Sequence, residues 1–329
     1  MYNKGTDFGL KMEKKAYLAE ISSDNFCIIE KHLSECKDDF ASFFDKLRNE
    51  YFKDDLAKIY SVLLQKTTNL ELLRYLIREI DALRHPSNLD DLLDFLLVKD
   101  SHAISGEDLN NFIDIRVLCL KAISNYKQIR TIEPILYCLN NKKEHYKFRL
   151  AAAEALGKIG DKNAVESLID IVSDENEKSL YVRESAAKAL GMIGDMRAVD
   201  PFLSILEAKK SFLDKFTFLK ERVIEALGKI DISCNRRVIS VFKNALLDES
   251  PQVRLNAVES LMNSGSDEAF DLIKDMLFDS DEEVARNSVV ALYNLSDEKI
   301  LKEILEDDNM PYYCKEEARA ILDEEYEEE

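Results

Sequence analysis

The sequence predicts an all-α chain, a right-handed α-α superhelix of stacked helix pairs, and three observations carry that prediction. Glycine (9) and proline (5) supply only about 4% of the 329 residues, against roughly 12% in an average chain, so turn chemistry for a β fold or a βαβ series is missing. Apolar residues recur at helical spacing through most of the chain. Finally, a segment of about 34 residues returns several times along it.

The first element, residues 1–66, is expected to form a helical cap or divergent repeats. Residues 67–329 are expected to form the solenoid, with its clearest stretch at 148–277. Apolar spacing places helices at Asp54 to Gln65 and at Leu70 to Leu83. Next come segments marked by a polar residue at Arg116, Arg149, Arg183, Lys220 and Arg254, continued by Ala285 and Cys314, with spacings of 29 to 37 residues. Six and seven places after each marker stand a small residue and a large apolar one, as in Ala155-Leu156 and Ala189-Leu190. Val182, Ala186, Ala189, Leu190 and Ile193 share one face at 3.6 residues per turn, which predicts an amphipathic inner helix. Gly157 and Gly160, like Gly191 and Gly194, are expected at or just past its end, with Asp161 or Asp195 in the turn. A second helix follows, carrying Val165, Leu168, Ile169 and Val172 in one unit and Val199, Phe202, Leu203 and Leu206 in the next, with Pro201 in its first turn.

The recurring D-x-x-x-x-V-R-x-x-A-A-x-A-L-G-x-I-G-D-x-x-A-V-x-x-L pattern resembles the HEAT repeat, in a short form similar to the phycobilisome-lyase type. That resemblance implies a solenoid whose concave inner wall is the default binding surface. Residues opposite the buried stripe of the inner helices would face it. One place after the markers these are Val117, Leu150, Glu184, Glu221, Leu255, Arg286 and Lys315. Five places after, they are Lys121, Glu154, Lys188, Glu225, Glu259, Val290 and Arg319. The middle of the wall thus reads acidic and its last third apolar, then basic. Glu154, Glu184, Lys188, Glu221, Glu225 and Glu259, with Leu255, Val290 and Tyr293 as an apolar anchor, are the candidate contacts for a protein partner with a basic segment. A solvated helix face accounts for the same residues equally well.

The marker arginines Arg149, Arg183 and Arg254 suggest a structural ladder rather than a phosphate site. They are expected to be partly buried and paired with carboxylates of the preceding turn, Asp174, Asp248 and Glu249 among them. The cluster from Lys142 to Arg149 interleaves aromatics with cations, but spans one turn and reads as the positive rim of a repeat, with Glu144-His145 exposed to solvent. The insertion Lys209 to Lys220 brings Phe212, Phe216 and Phe218 close together, either plugging the core or exposed for contact.

Charge and residue types bear on function class. A formal net charge of -19 and a pI near 4.8 repel phosphate backbones, so nucleic acid is not an expected partner. No stretch approaches the roughly 20 apolar residues of a membrane span, and Met1 to Lys15 lacks the apolar stretch of a leader, so a cytoplasmic protein, monomeric or within a hetero-complex, is expected. The acidic end from Asp323 to Glu329 reads as solvated chain. Six cysteines without a CxxC pair, Cys27, Cys36, Cys119, Cys138, Cys234 and Cys314, read as reduced core residues.

HEAT-like deoxyhypusine hydroxylases carry His-Glu pairs for a di-iron centre. Here His32, His85, His102 and His145 are never followed by Glu, so that activity is not implied, and no catalytic set, metal or cofactor is expected. HEAT-like DNA glycosylases need a cationic groove, whereas this chain has no Trp and an acidic face. The reading is a non-catalytic interaction scaffold, adaptor or assembly chaperone. The alternative, implied by the lyase-type resemblance, is an accessory or catalytic subunit of a protein-modifying enzyme.

Overall fold

A computed structural model describes residues 29–98 apart from 30, 35, 37 and 38, then 107–207, 217–230 and 236–328 apart from 265. Among them every regular element is helical, so the chain is all-α. Two compact units are present, one up to Ala155 and one from Leu156. Cys27, Cys234, His102, Phe212, Phe216 and the side chains after Asp323 lie outside the described residues.

The first unit holds α1 (Phe40–Glu50), α2 (Lys53–Lys66), α3 (Leu70–Leu83), α4 (Asn88–Val98), α5 (Glu107–Asn125), α6 (Ile132–Asn140) and most of α7 (Tyr146–Ile159). Helix α2 packs on α3 and α4, and α3 packs on α5. Phe44, Leu73, Leu76, Ile77 and Ile80 are wholly buried, each such burial being worth about 1.5–3 kcal/mol. A polar clasp joins α2 to α4. Buried Asn88 donates to the Ala57 carbonyl at 2.8 Å and to Ser61 Oγ at 2.9 Å, while Ser61 Oγ donates to Asp91 at 2.5 Å. Both donors of the Asn88 amide are thus used, while its Oδ1 is buried without a hydrogen-bond partner among the described residues.

The second unit continues with α8 (Val165–Ser173), α9 (Leu180–Ile193), α10 (Val199–Glu207), α11 (Thr217–Gly228), α12 (Arg236–Ala245), α13 (Pro251–Ser264), α14 (Asp267–Asp275), α15 (Glu282–Leu295), α16 (Glu298–Glu306) and α17 (Tyr312–Glu328). Helices α9, α11, α13, α15 and α17 pack successively as an inner row, and α8, α10 and α12 as an outer one. Short 3-10 turns lead into α8 and α10, capped by Asp161 and Asp195, whose carboxylates accept from Asn163 N at 2.8 Å and Arg197 N at 3.0 Å. Arg197 also reaches Asp195 with its guanidinium at 2.9 Å and holds that carboxyl down to about 2.

The glycines divide into two jobs rather than sharing the expected one. Gly160 and Gly194 end their helices at φ 78° and 70°, the left-handed conformation that costs glycine nothing. Gly157 and Gly191 instead lie inside α7 and α9. A Cβ on Gly157 would stand 2.7 Å from Ala189 Cα, one on Gly191 2.8 Å from Ala226 Cα, and one on Gly228 3.0 Å from Ser260 Cα. Glycine is there because the next helix is too close for a side chain, and the small residue six places after each marker is the other half of that contact. The fourth position in this series is Met262, where the glycine pattern stops.

The marker arginines are more deeply buried than expected, with Arg116, Arg149, Arg183 and Arg254 between 4% and 9% exposed. They also close backbone carbonyls, which the expectation of carboxylate pairing did not include. Arg149 Nε donates to the Leu139 carbonyl at 2.8 Å and Arg183 Nε to the Val172 carbonyl at 3.0 Å. Arg254 takes the carbonyls of Asp248 and Glu249, not their carboxylates, and grips the Asp279 carboxylate in the following turn at 2.7 and 2.8 Å. A helix end leaves carbonyls unpaired, and a guanidinium with five donors can close them while pairing with an acid beyond. Arg116 does the same with Leu96 O and with both oxygens of Glu144, at 2.8 and 2.9 Å, and lies 3.8 Å over the Phe148 ring. Glu144 is therefore a staple with only 20% of its side chain exposed, and His145 is half-buried, not a solvent-exposed pair. Because Phe148 and Arg149 are both buried, the Lys142 to Arg149 cluster presents less of an aromatic-cationic strip than its sequence suggests.

Candidate partner-binding face

The inner row exposes one stripe per helix. Two residues before each marker stand Asp114, Lys147, Tyr181, Phe218, Gln252, Glu283 and Tyr312, every one exposed. Added to the positions one and five after the marker, they complete a stripe at i, i+3 and i+7, roughly one side of a helix. In α9 it reads Tyr181, Glu184 and Lys188, and in α11 Phe218, Glu221 and Glu225. In α13 it is Gln252, Leu255 and Glu259, in α15 Glu283, Arg286 and Val290. Helix α7 carries Glu154 at the last of these positions, half-buried, within the first unit.

Lys188 and Glu259 are exposed, and Glu184, Glu221, Glu225, Val290 and Tyr293 are half-buried. Leu255 departs from the expectation of an exposed anchor, being buried at 8%. An apolar side chain at the edge of a stripe gains by folding into the seam between packed helices, whereas glutamates at the same position keep water contact.

The charges do not stand alone. Glu225 is bridged by both Arg222 and Lys229. Burial pushes its carboxyl up, but these cations outweigh burial and hold it below the ordinary range. Glu221 accepts from Ser250 Oγ at 3.0 Å. Glu184 is different: its Oε1 is shielded from solvent and accepts no hydrogen bond among the described residues. Burial raises its proton affinity, the cation of Arg222 opposes that, and Glu221 adds to it.

The expected basic end is likewise answered. Arg286 pairs with Glu282 at 2.9 Å, with Glu317 at 3.2 Å and with Glu316. Beside it, between α15 and α17, lies a cavity of about 340 Å³ lined by Glu282, Glu283, Arg286, Asn287, Val290 and Glu317. Val290 thus forms an apolar wall where the sequence reading placed an anchor.

Chemically the face offers carboxylates, cations and aromatic rings. Among the described residues no three His, Cys, Asp or Glu side chains are grouped as metal ligands, and no described helix is long and apolar enough to cross a membrane. Cys119, Cys138 and Cys314 are buried and free, and burial raises the thiols of Cys138 and Cys314 to about 12 and about 11, far from the thiolate needed for nucleophilic work. Tyr181 and Phe218 were not found as a pair by the sequence reading. The signal was available two places before the marker, where the repeat demands no particular residue.

The fold and this face define an α-solenoid built from helix pairs. A family model of HEAT repeats matches residues 132–216, 214–294 and 239–322, more than half of the chain, and the protein belongs to the HEAT-repeat family. Comparison with curated proteins gives no match. Among solved structures, the chain is similar to the complex of CpcE and CpcF of phycocyanin lyase from Nostoc (21% identity, 63% of this chain and 80% of that one, TM-score 0.45). It is also similar to human deoxyhypusine hydroxylase in complex with glycerol (16% identity, 84% and 98% covered, TM-score 0.34). A third is a computationally designed armadillo repeat protein for modular peptide recognition (16% identity, 68% and 100% covered, TM-score 0.35).

Proposed function

We propose that this protein is a non-catalytic interaction solenoid, a scaffold, adaptor or assembly chaperone, that holds a protein partner along the inner row of α9, α11, α13 and α15. The observation that carries the reading is the stripe itself. Successive packed helices repeat a stripe of exposed and half-buried residues, populated in α9 to α13 by Glu184, Glu221 and Glu259, which favour a basic segment of the partner. The protein works as a monomer or as one subunit of a hetero-complex in the cytoplasm, and the acid balance of the chain steers it away from nucleic acid.

A photo-crosslinking residue placed at Lys188, on the inner row, or at Ser204, exposed on α10 of the outer row, tests it. Crosslinks to a stoichiometric partner from position 188, suppressed by combined Glu184→Lys, Glu221→Lys and Glu259→Lys changes, support the reading. Crosslinks from position 204 alone overturn it.

A second reading, an accessory or catalytic subunit of a protein-modifying enzyme, draws on Glu184, whose raised proton affinity suits an acid or base. Glu184 stands on α9, however, while the cavity of about 340 Å³ lies between α15 and α17. Acid and cavity are on different helices, which favours binding over chemistry.

A further inference from the structure

Two exposed rings hold equivalent places on neighbouring helices. Tyr181 is 60% exposed and Phe218 70%; each falls in the first turn of its helix, two residues before the marker, and α9 packs on α11. Three residues after each stands a carboxylate, Glu184 or Glu221, on the same side of the helix. The combination is confined to these two helices, since the same positions hold Gln252 and Leu255 in α13 and Glu283 and Arg286 in α15.

We propose that Tyr181 with Glu184, and Phe218 with Glu221, are two subsites for arginine side chains of an extended peptide that carries Arg-x-x-Arg. A guanidinium is flat, so it lies on a ring face while its edge donates to an accessible carboxylate oxygen. Lysine offers a point charge and fits such a subsite less well. The spacing follows from the packing. Adjacent helices lie roughly 8–10 Å apart, and a polyproline-II chain returns to the same side every third residue, after about 9 Å. One arginine therefore meets each helix.

This inference rests on the inner row being the partner-binding face. Fluorescein-labelled Gly-Arg-Pro-Pro-Arg-Gly is the probe, titrated with the full chain and followed by anisotropy, with Lys-Pro-Pro-Lys, Arg-Pro-Arg and Glu-Pro-Pro-Glu peptides beside it. Proline after arginine pre-sets the extended form. The expected result is tightest binding of the Arg-Pro-Pro-Arg peptide, weakened ~3–10-fold by Tyr181→Ala or Phe218→Ala and more than 10-fold by both. Tyr181→Phe and Phe218→Tyr, which keep the ring, should bind as the unaltered chain does. If the peptide binds equally well to both alanine variants, or lysine replaces arginine without loss, the subsite assignment is overturned while the inner row stands. If no basic peptide binds, the assignment is overturned too, and crosslinking from position 188 then decides the wider reading separately.

Discussion

Replacing Gly191 by alanine probes the helix-to-helix contact that the repeat pattern encodes. The new Cβ would stand 2.8 Å from Ala226 Cα, 2.9 Å from its Cβ and 3.3 Å from its carbonyl oxygen, where carbon atoms normally keep about 3.5 Å or more. Because the obstacle is backbone, it cannot turn aside, and helices α9 and α11 must separate by several tenths of an ångström along a seam packed with Ala186, Ala189 and Leu190, all wholly buried. Overpacking of that kind costs about 2–3 kcal/mol. Alanine returns about 1 kcal/mol through its better helix propensity, so the net loss is about 1–2 kcal/mol, or a fall in melting temperature of roughly 2–4 °C per kcal/mol. Urea and thermal unfolding followed by circular dichroism measure it, with Gly194→Asn as comparison. Gly194 has φ 70° and its nearest neighbour at 4.0 Å, so asparagine, which tolerates that conformation, should cost under about 0.5 kcal/mol. Stabilisation by Gly191→Ala, as at an ordinary helical glycine, would refute the close-approach argument.

Arg254→Leu leaves Asp279, 7% exposed at its side chain, without its cation, and unfolding should report a loss of about 3–5 kcal/mol, much of it recovered when Asp279→Asn is added; additive losses would show that the pair is not coupled. Glu184→Gln should raise stability near pH 7. Its carboxyl is shifted upward by burial, against Arg222 and with Glu221, so the ionised form is penalised in the folded state at neutral pH and the penalty vanishes below the ordinary glutamate value. A gain that persists unchanged at pH 4 would contradict this. Asp195, held down to about 2 by Arg197, contributes stability that is complete above its ordinary value of 3.8 and is lost as pH falls toward 2. In acid titrations Asp195→Ala should therefore differ from the unaltered chain by about 1–2 kcal/mol at neutral pH, from the lost cap, and converge with it below pH 2.

The fold was legible because a period of about 34 residues survives any local ambiguity. Helices placed at Asp54 to Gln65 and Leu70 to Leu83 appear at Lys53–Lys66 and Leu70–Leu83. What was illegible concerned distances between helices. Gly157 and Gly160 look alike in sequence, yet one makes room for Ala189 and the other turns the chain. Arg254 lies near Asp248 and Glu249 in sequence but uses their carbonyls and reaches forward to Asp279. Leu255 occupies the same register as Glu184 and Glu221, and only the seam beside it decides that it turns inward. Of the face itself, the carboxylates were readable from the register; the charges of Glu225 and Arg286 were not, because their partners come from side chains that register alone does not rank.

The marker series has a consequence for how the second unit comes apart. Arg183 and Arg254 close backbone carbonyls with a strong cationic donor, and Lys220 still pairs with Asp248. At the next two markers the cation is gone. Ala285 has no donor to give, and Cys314 offers the Leu277 carbonyl only a thiol at 3.4 Å, a weak bond. In an array held by nearest-neighbour coupling, the weakest junctions set where opening starts. Amide exchange should therefore be graded along the unit, fastest in α16 and α17 and slowest around α9 and α13, so that the C-terminal helices peel away as a separate step while the stripe-bearing helices stay closed.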